Sequence, residues 1–220
     1  MTSPKIEAVA FDMDGLIFNT EDLYDQVGQI LMQRRGKNFT RELKLAMMGL
    51  PGPVAFEVMR ERGGVEDSAQ DLQDEADAVF VDLLPSEIKT MPGLETLLCR
   101  LEELNIPKAV ATSSHREFAK TALGMFDLEP RFQFVLTSED VTEGKPNPEI
   151  YLSAARRLGV EPSKMLVLED SVTGSKAGVA AGAVTIAVPT LHSRGMDFSH
   201  VYRVAERLDD HLIMGIWESD

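Results

Sequence analysis

The sequence predicts an α/β fold: a parallel sheet flanked by helices, with a helical segment inserted after the first strand. Short apolar runs end at polar residues, which is typical of the buried strands of a parallel sheet. Helical patterns lie between several of these runs, and such alternation favours an α/β fold. The stretch from residue 19 to residue 91 contains helical patterns and no convincing strand. We therefore predict a core of residues 1–18 and 92–220 and a helical cap of residues 19–91.

The predicted strands and helices alternate along the core. Apolar runs predict five strands, over residues 6–11, 108–111, 132–136, 165–168 and 184–188. Periodic apolar residues predict three core helices, over residues 94–104, 148–158 and 173–181. Within the cap, helical patterns cover residues 21–35, 41–47, 53–62 and 68–84. Met91-Pro92-Gly93 is a turn signal, after which the strands return.

The composition excludes several classes of partner. The 220 residues include 22 basic and 36 acidic side chains, a net charge of −14. Such a charge repels nucleic acid and anionic lipid, so we expect neither as a partner. No run of about 18 apolar residues predicts a membrane-spanning helix, and no heptad pattern is visible, so we expect a monomer. The single cysteine, Cys99, favours a cytoplasmic protein, and its apolar neighbours predict that it is buried.

Two carboxylates, Asp12 and Asp14, follow the first predicted strand and precede Gly15. Residues i and i+2 of an extended backbone face the same side, so both side chains can converge on one point. Like charges this close need a cation, and Mg²⁺ prefers such hard oxygen ligands. A calcium-binding loop would need further oxygen ligands at alternating positions, but the three residues after Gly15 are apolar. The pair therefore predicts a magnesium site.

Three later segments carry polar groups that suit the same site. Glu169 and Asp170 follow the strand of residues 165–168 and predict further metal ligands, although Asp170 is also compatible with a helix cap. Lys145 lies between a glycine and two prolines, which restrict its backbone. Thr112 and Ser113 follow the second strand and suit phosphate oxygens or a helix cap. Together these groups form a complete set for phosphoryl transfer.

This arrangement resembles the haloacid dehalogenase superfamily of phosphohydrolases, helical-cap subclass. Residues 11–15 (Phe-Asp-Met-Asp-Gly) are similar to the first motif of that family, and residues 111–114 (Ala-Thr-Ser-Ser) are similar to the second. Residues 144–146 (Gly-Lys-Pro) and 168–171 (Leu-Glu-Asp-Ser) are similar to the third and fourth. The resemblance covers nearly the whole chain. It implies a Rossmann-like parallel sheet with the cap inserted after the first motif.

The resemblance also implies a role for each motif residue. Asp12 would attack phosphorus and form an aspartyl-phosphate. Asp14 would protonate the leaving oxygen and then activate water. Thr112 and the backbone N–H of Ser113 would hold the transferring phosphoryl group, and Lys145 would stabilise its charge.

The implied cofactor is Mg²⁺, and the implied substrate is a small phosphorylated metabolite. Asp12, the carbonyl of Asp14 and Asp170 would be ligands, with Glu169 binding directly or through water. Closure of the cap, with hinges near residues 18–19 and 90–93, would exclude bulk water. Residues 50–53 would contact the leaving group.

Three functions stay open within this resemblance. Residues 19–21 and 110–114 are similar to pseudouridine-5′-phosphatase-like enzymes and favour a phosphatase for a sugar phosphate or nucleoside monophosphate, although Asn19 replaces the usual aspartate. A β-phosphoglucomutase-like mutase is the alternative, but residues 48–53 contain no basic residue for a second phosphate. A non-catalytic binding module on the same scaffold is the third reading.

Overall fold

The computed structural model describes residues 5–47, 50 and 52–217. Within these residues the chain forms two compact units. One consists of the residues up to Phe18 together with those from Thr90 onward, and the other is Asn19–Lys89. The second unit ends at Lys89, slightly before the boundary at Met91 that the sequence predicted. Its role as a cap stays a prediction.

The first unit contains a six-stranded sheet in which every neighbouring pair is parallel. The strands are β1 (Ala8–Phe11), β2 (Lys108–Ala111), β3 (Val135–Leu136), β4 (Met165–Glu169), β5 (Val184–Ala187) and β6 (Arg203–Val204). Their order is β3-β2-β1-β4-β5-β6. The α/β fold class is confirmed. The central strands β1, β2 and β4 are buried along their whole length, which explains why they are apolar runs.

Nine α-helices lie in the described part of the chain: α1 (Thr20–Arg34), α2 (Arg41–Met47), α3 (Gly52–Gly63), α4 (Ala69–Glu87), α5 (Leu94–Glu103), α6 (Arg116–Met125), α7 (Glu149–Leu158), α8 (Val172–Ala180) and α9 (His211–Met214). The first four belong to the second unit and the others to the first. Helix α5 buries the leucines that predicted it, at positions 94, 97, 98 and 101. None of the helices described is both long and apolar enough to cross a membrane.

Some details differ from the sequence predictions. Strand β3 covers only the last two residues of the predicted segment 132–136. Strand β6 was missed because Arg203 and Val204 are both exposed and form no apolar run. The prediction that Cys99 is buried is wrong: the side chain lies on the solvent side of α5, where its thiol donates to Glu95. Its apolar neighbours point to the opposite face of the helix.

The second unit is a bundle of α1–α4 with its own apolar core. Arg35, directly after α1, donates hydrogen bonds to Asp67 in the segment before α4 and to Glu75 within α4. The Asn19 side chain joins the two ends of the unit, since its oxygen accepts from the Lys89 N–H at 2.6 Å and its amide donates to a nearby carbonyl at 3.2 Å. Of the segment 50–53, expected to contact the leaving group, residue 51 lies outside the described residues, and so do residues 48 and 49 just before it.

Candidate active site

The predicted site residues other than Lys145 lie at the carboxyl ends of β1, β2 and β4, and Lys145 lies in the loop before α7. Strand β1 lies between the other two, with Phe11 opposite Val110 on one side and Leu168 on the other. The residue after each strand therefore reaches the same edge of the sheet. Backbone hydrogen bonds extend this alignment by one residue, because the N–H of Asp12 donates to the carbonyl of Leu168 at 3.0 Å. Crevices at this edge are where open α/β sheets bind ligands.

Lys145 connects all three strand ends. Its ammonium group donates to Oδ1 of Asp12 at 2.5 Å, to Oε1 of Glu169 at 2.7 Å and to the carbonyl of Ala111 at 2.9 Å. These three acceptors use all three ammonium protons, and the side chain is 5% exposed. The restricted backbone predicted around Lys145 includes a cis peptide bond to Pro146. The lysine is thus a fixed internal cation rather than a surface residue.

Glu169 is fully buried and held on both carboxylate oxygens. Oε1 accepts from Lys145 and, at 2.7 Å, from the hydroxyl of Tyr151 on α7. Oε2 accepts from the hydroxyl of Ser171 at 2.9 Å. The same hydroxyl caps α8, accepting from the N–H of Gly174 at 3.0 Å. Position 174 must be glycine here, because a Cβ atom would lie 1.7 Å from Oε1 of Glu169.

Asp14 makes a separate set of contacts. Its Oδ2 accepts from the hydroxyls of Thr112 at 3.0 Å and Ser114 at 2.7 Å. Its Oδ1 is buried and has no hydrogen-bond partner among the residues that the structure describes. One carboxylate oxygen is therefore anchored, and the other is available for another group.

Three buried carboxylates could hold a metal ion. Asp12, Glu169 and Asp170 each offer one oxygen, and these oxygens lie within 4.8 Å of one another. The carboxylate of Asp14 is not in this group. The sequence prediction assigned the backbone carbonyl of Asp14, not its carboxylate, as a metal ligand. Asp170 lies against Gly15, where a Cβ atom would come within 2.3 Å of its carboxylate and where φ is +76°. Ser193 donates to the Asp170 carbonyl at 2.8 Å and so holds the backbone of this residue.

The electrostatics of the site show an excess of negative charge. Burial, and next the charge of Glu169, raise the pKa of Asp12 well above its ordinary value, although Lys145 opposes the rise. For Lys145, burial disfavours the charged form, but the charges of Asp12 and Glu169 outweigh it and raise the pKa above its ordinary value. The lysine is therefore charged, yet one ammonium group does not balance the surrounding carboxylates. A divalent cation suits this imbalance.

The structure brings Asp12, Lys145, Glu169 and Asp170 together, and Asp14 with Thr112. Ser113 is exposed just after β2, next to these groups in the chain. Sequence reasoning missed the hydroxyls that position the carboxylates, which belong to Ser114, Tyr151, Ser171 and Ser193. The one available signal was the tyrosine in the apolar face of α7, because a buried tyrosine hydroxyl usually finds a polar partner.

Known proteins match this chain along most of its length. The family model described as haloacid dehalogenase-like hydrolase matches residues 9–188. A phosphorylated carbohydrates phosphatase of Thermotoga maritima is 35% identical over 181 residues, which are 80% of this chain and 82% of that protein. A probable pseudouridine-5′-phosphatase of Drosophila melanogaster is 33% identical over 212 residues, which are 94% of this chain and 91% of that protein.

A solved structure matches as well. The crystal structure of a putative β-phosphoglucomutase from Thermotoga maritima has a TM-score of 0.82 and 28% sequence identity. The match covers 98% of this chain and 100% of that one. That solved structure thus has the same fold as this chain, while the names of the relatives refer to different substrates.

Proposed function

The chain belongs to the haloacid dehalogenase-like hydrolase family, and from that premise we propose that it is a Mg²⁺-dependent phosphatase of small phosphomonoesters. The predictions of this family, of the fold class and of a phosphoric monoester hydrolase are confirmed by the comparisons. The metal, the aspartyl-phosphate and the residue roles below are part of the proposal.

The observation that supports this function best is the position of Lys145 between Asp12 and Glu169. A nucleophilic carboxylate must approach a phosphoryl group that is itself negatively charged. The buried ammonium of Lys145 reduces that repulsion, and from its position beside Asp12 it would also stabilise negative charge on the phosphoryl group during transfer. A structural ion pair would need only one carboxylate, whereas this lysine is shared by two.

We assign the role of nucleophile to Asp12 and the role of general acid and base to Asp14. Asp12 attacks phosphorus, the bond to the leaving oxygen breaks, and a phosphoaspartate remains. Asp14 gives its proton to the leaving oxygen and then takes one from a water that attacks phosphorus, which breaks the bond to Asp12, releases phosphate and restores the carboxylate. The contacts of Asp14 suit this exchange, because Thr112 and Ser114 anchor Oδ2 while Oδ1 has no hydrogen-bond partner among the described residues.

The residues at the strand ends fit a hard divalent cation. The donor set is all oxygen, it is buried, and its charge exceeds that of Lys145. Asp12 and Asp170 would hold Mg²⁺, with the carbonyl of Asp14 and with Glu169 directly or through water. When bound, the ion would offset negative charge on the phosphoryl oxygens.

The substrate class we propose is a phosphorylated sugar or nucleoside monophosphate. The relatives named above support this class, since one is a phosphatase of phosphorylated carbohydrates and another of pseudouridine 5′-phosphate. We further propose that the helical unit, Asn19–Lys89, is the cap predicted from the sequence and sets this selectivity. A cytoplasmic monomer stays our expectation.

A phosphate-release screen tests the proposal. Purified protein is mixed with a panel of phosphomonoesters, including pseudouridine 5′-phosphate and both anomers of glucose 1-phosphate, with Mg²⁺ or with EDTA. We expect release that requires Mg²⁺ and is lost in D12N. As a control, Y202F replaces an exposed tyrosine that makes no contact with the carboxylates and should retain full activity.

Three other outcomes would contradict the proposal. Conversion of β-glucose 1-phosphate to glucose 6-phosphate without net release would establish a mutase, the alternative that the match to a putative β-phosphoglucomutase supports. Magnesium binding without turnover of any ester would favour a non-catalytic module. Release that survives in D12N would exclude Asp12 as the nucleophile.

A further inference from the structure

Tyr151 is a buried side chain that none of the roles above uses. We propose that Tyr151 is a positioning residue, which acts through Glu169 to hold Lys145 on the nucleophile Asp12. The inference rests on the proposed function and adds one residue to its machinery. The residue lies on α7, six positions after Lys145, so the helix and the loop before it carry both groups.

The geometry supports a polar role for this tyrosine. The side chain is fully buried, and its hydroxyl donates to Oε1 of Glu169 at 2.7 Å. Its ring also lies 4.9 Å from the ammonium nitrogen of Lys145, within the range of a cation–π contact. A phenylalanine would fill the same space without reaching the carboxylate.

The hydroxyl and the ammonium share one acceptor atom. Because Oε1 of Glu169 accepts from both Tyr151 and Lys145, the hydroxyl fixes the rotation of the carboxylate and satisfies part of its negative charge. Without this donor, Glu169 would attract Lys145 more strongly, and its Oε1 would lose one of the two contacts that fix its position. The ammonium would then move away from Asp12, the acceptor at which the chemistry takes place.

The test compares Y151F with Y202F, which removes a hydroxyl from an exposed tyrosine in the same unit. We expect Y151F to lower kcat about tenfold, the lower end of the range for residues that orient a metal ligand, with KM changed less than about twofold. Y202F should match the wild type in both constants. A kcat of Y151F within about twofold of the wild type would overturn the proposal.

A second measurement needs no turnover. Beryllium trifluoride mimics a phosphoryl group on an aspartate, and ¹⁹F NMR reports the surroundings of its fluorine atoms. We expect a fluorine resonance to shift in Y151F and none to shift in Y202F. A role in folding alone would lower the melting temperature and leave the resonances in place, which would overturn the proposal. Absence of any bound signal in the wild type would instead overturn the proposed nucleophile.

The double variant Y151F/E169Q covers the case in which Y151F folds but is too unstable for kinetic measurements. If Tyr151 acts through the charge of Glu169, loss of the hydroxyl should lower the melting temperature much less in the E169Q background than in the wild-type background. Equal losses in both backgrounds would show that the two residues are independent, and the proposal would fail.

Discussion

Replacing Gly174 with alanine should disrupt the site without changing any charged or hydroxyl group. The new Cβ atom would lie 1.7 Å from Oε1 and 2.1 Å from Cδ of Glu169. An ordinary contact between such atoms is about 3.5 Å, so the carboxylate must move by more than 1 Å. The end of a free glutamate side chain would move at little cost. This carboxylate, however, is bonded to Lys145, Tyr151 and Ser171.

The expected loss of stability follows from those bonds. A hydrogen bond to a charged group contributes about 1.5–3 kcal/mol, so loss of two would cost about 3–6 kcal/mol. Alanine within a helix offsets up to about 1 kcal/mol of this. The net cost of G174A is then about 2–5 kcal/mol. At roughly 2–4 °C per kcal/mol for a chain of this size, the melting temperature should fall by roughly 10 °C.

Calorimetry and kinetics of G174A and G124A would test this reasoning. Gly124 lies in α6, and a Cβ atom there would meet no atom within 4 Å. G124A should therefore be neutral or slightly stabilising and retain full activity. G174A should be less stable than the wild type. Its kcat should also be lower, because displacement of Glu169 removes one of the acceptors that hold Lys145 in place. If both variants melt within about 1 °C of the wild type, Glu169 is not held as we describe.

Three further predictions concern charged groups. Mg²⁺ at about 100 times its Kd should add about 2.7 kcal/mol of stability, and D170N should remove this gain in thermal melts. The hydrogen bond from Arg131 holds the pKa of Glu102 at about 2, below its ordinary value. The ionised Glu102 therefore stabilises the fold above its ordinary pKa, and this stabilisation is lost as the pH falls toward 2. We expect the melting temperature of E102Q to fall less steeply than that of the wild type between about pH 5 and pH 2. R35M should lower the free energy of unfolding in urea by about 2 kcal/mol, because the Arg35 side chain is 16% exposed and forms ion pairs with two carboxylates. R34M, at a more exposed arginine, should lower it by less than about 1 kcal/mol.

The sheet was largely predictable because its central strands are buried on both faces. Residues 165–168, for example, form an apolar run that the structure places in β4, next to β1. Burial on both faces leaves a pattern that a sequence reveals directly. Strand β6 leaves no such pattern, since two exposed residues form it by pairing with β5. Edge pairing of this kind depends on where the neighbouring strand ends.

The charged members of the candidate site were predictable for a similar reason. Asp12, Lys145 and Glu169 are conspicuous because charged side chains beside buried strands need partners. Tyr151 and Ser171 were not conspicuous, because an apolar helix face and a helix cap already account for them. Only the distances show that each also holds Glu169. When the local structure already explains a residue, the sequence gives no sign that the residue also has a role in the site.

Asn19 gives the inserted unit a property that matters for how such proteins diversify. Its side chain both accepts from Lys89 and donates to the carbonyl of Glu87, which an aspartate, an acceptor only, could not do. The two ends of the insertion are thus bonded to each other, and its entry and exit lie side by side. A segment closed in this way can be lengthened, shortened or exchanged in evolution without changing the spacing of the residues that flank it. The same sheet can then be combined with different insertions, which is consistent with relatives whose names refer to different phosphate esters.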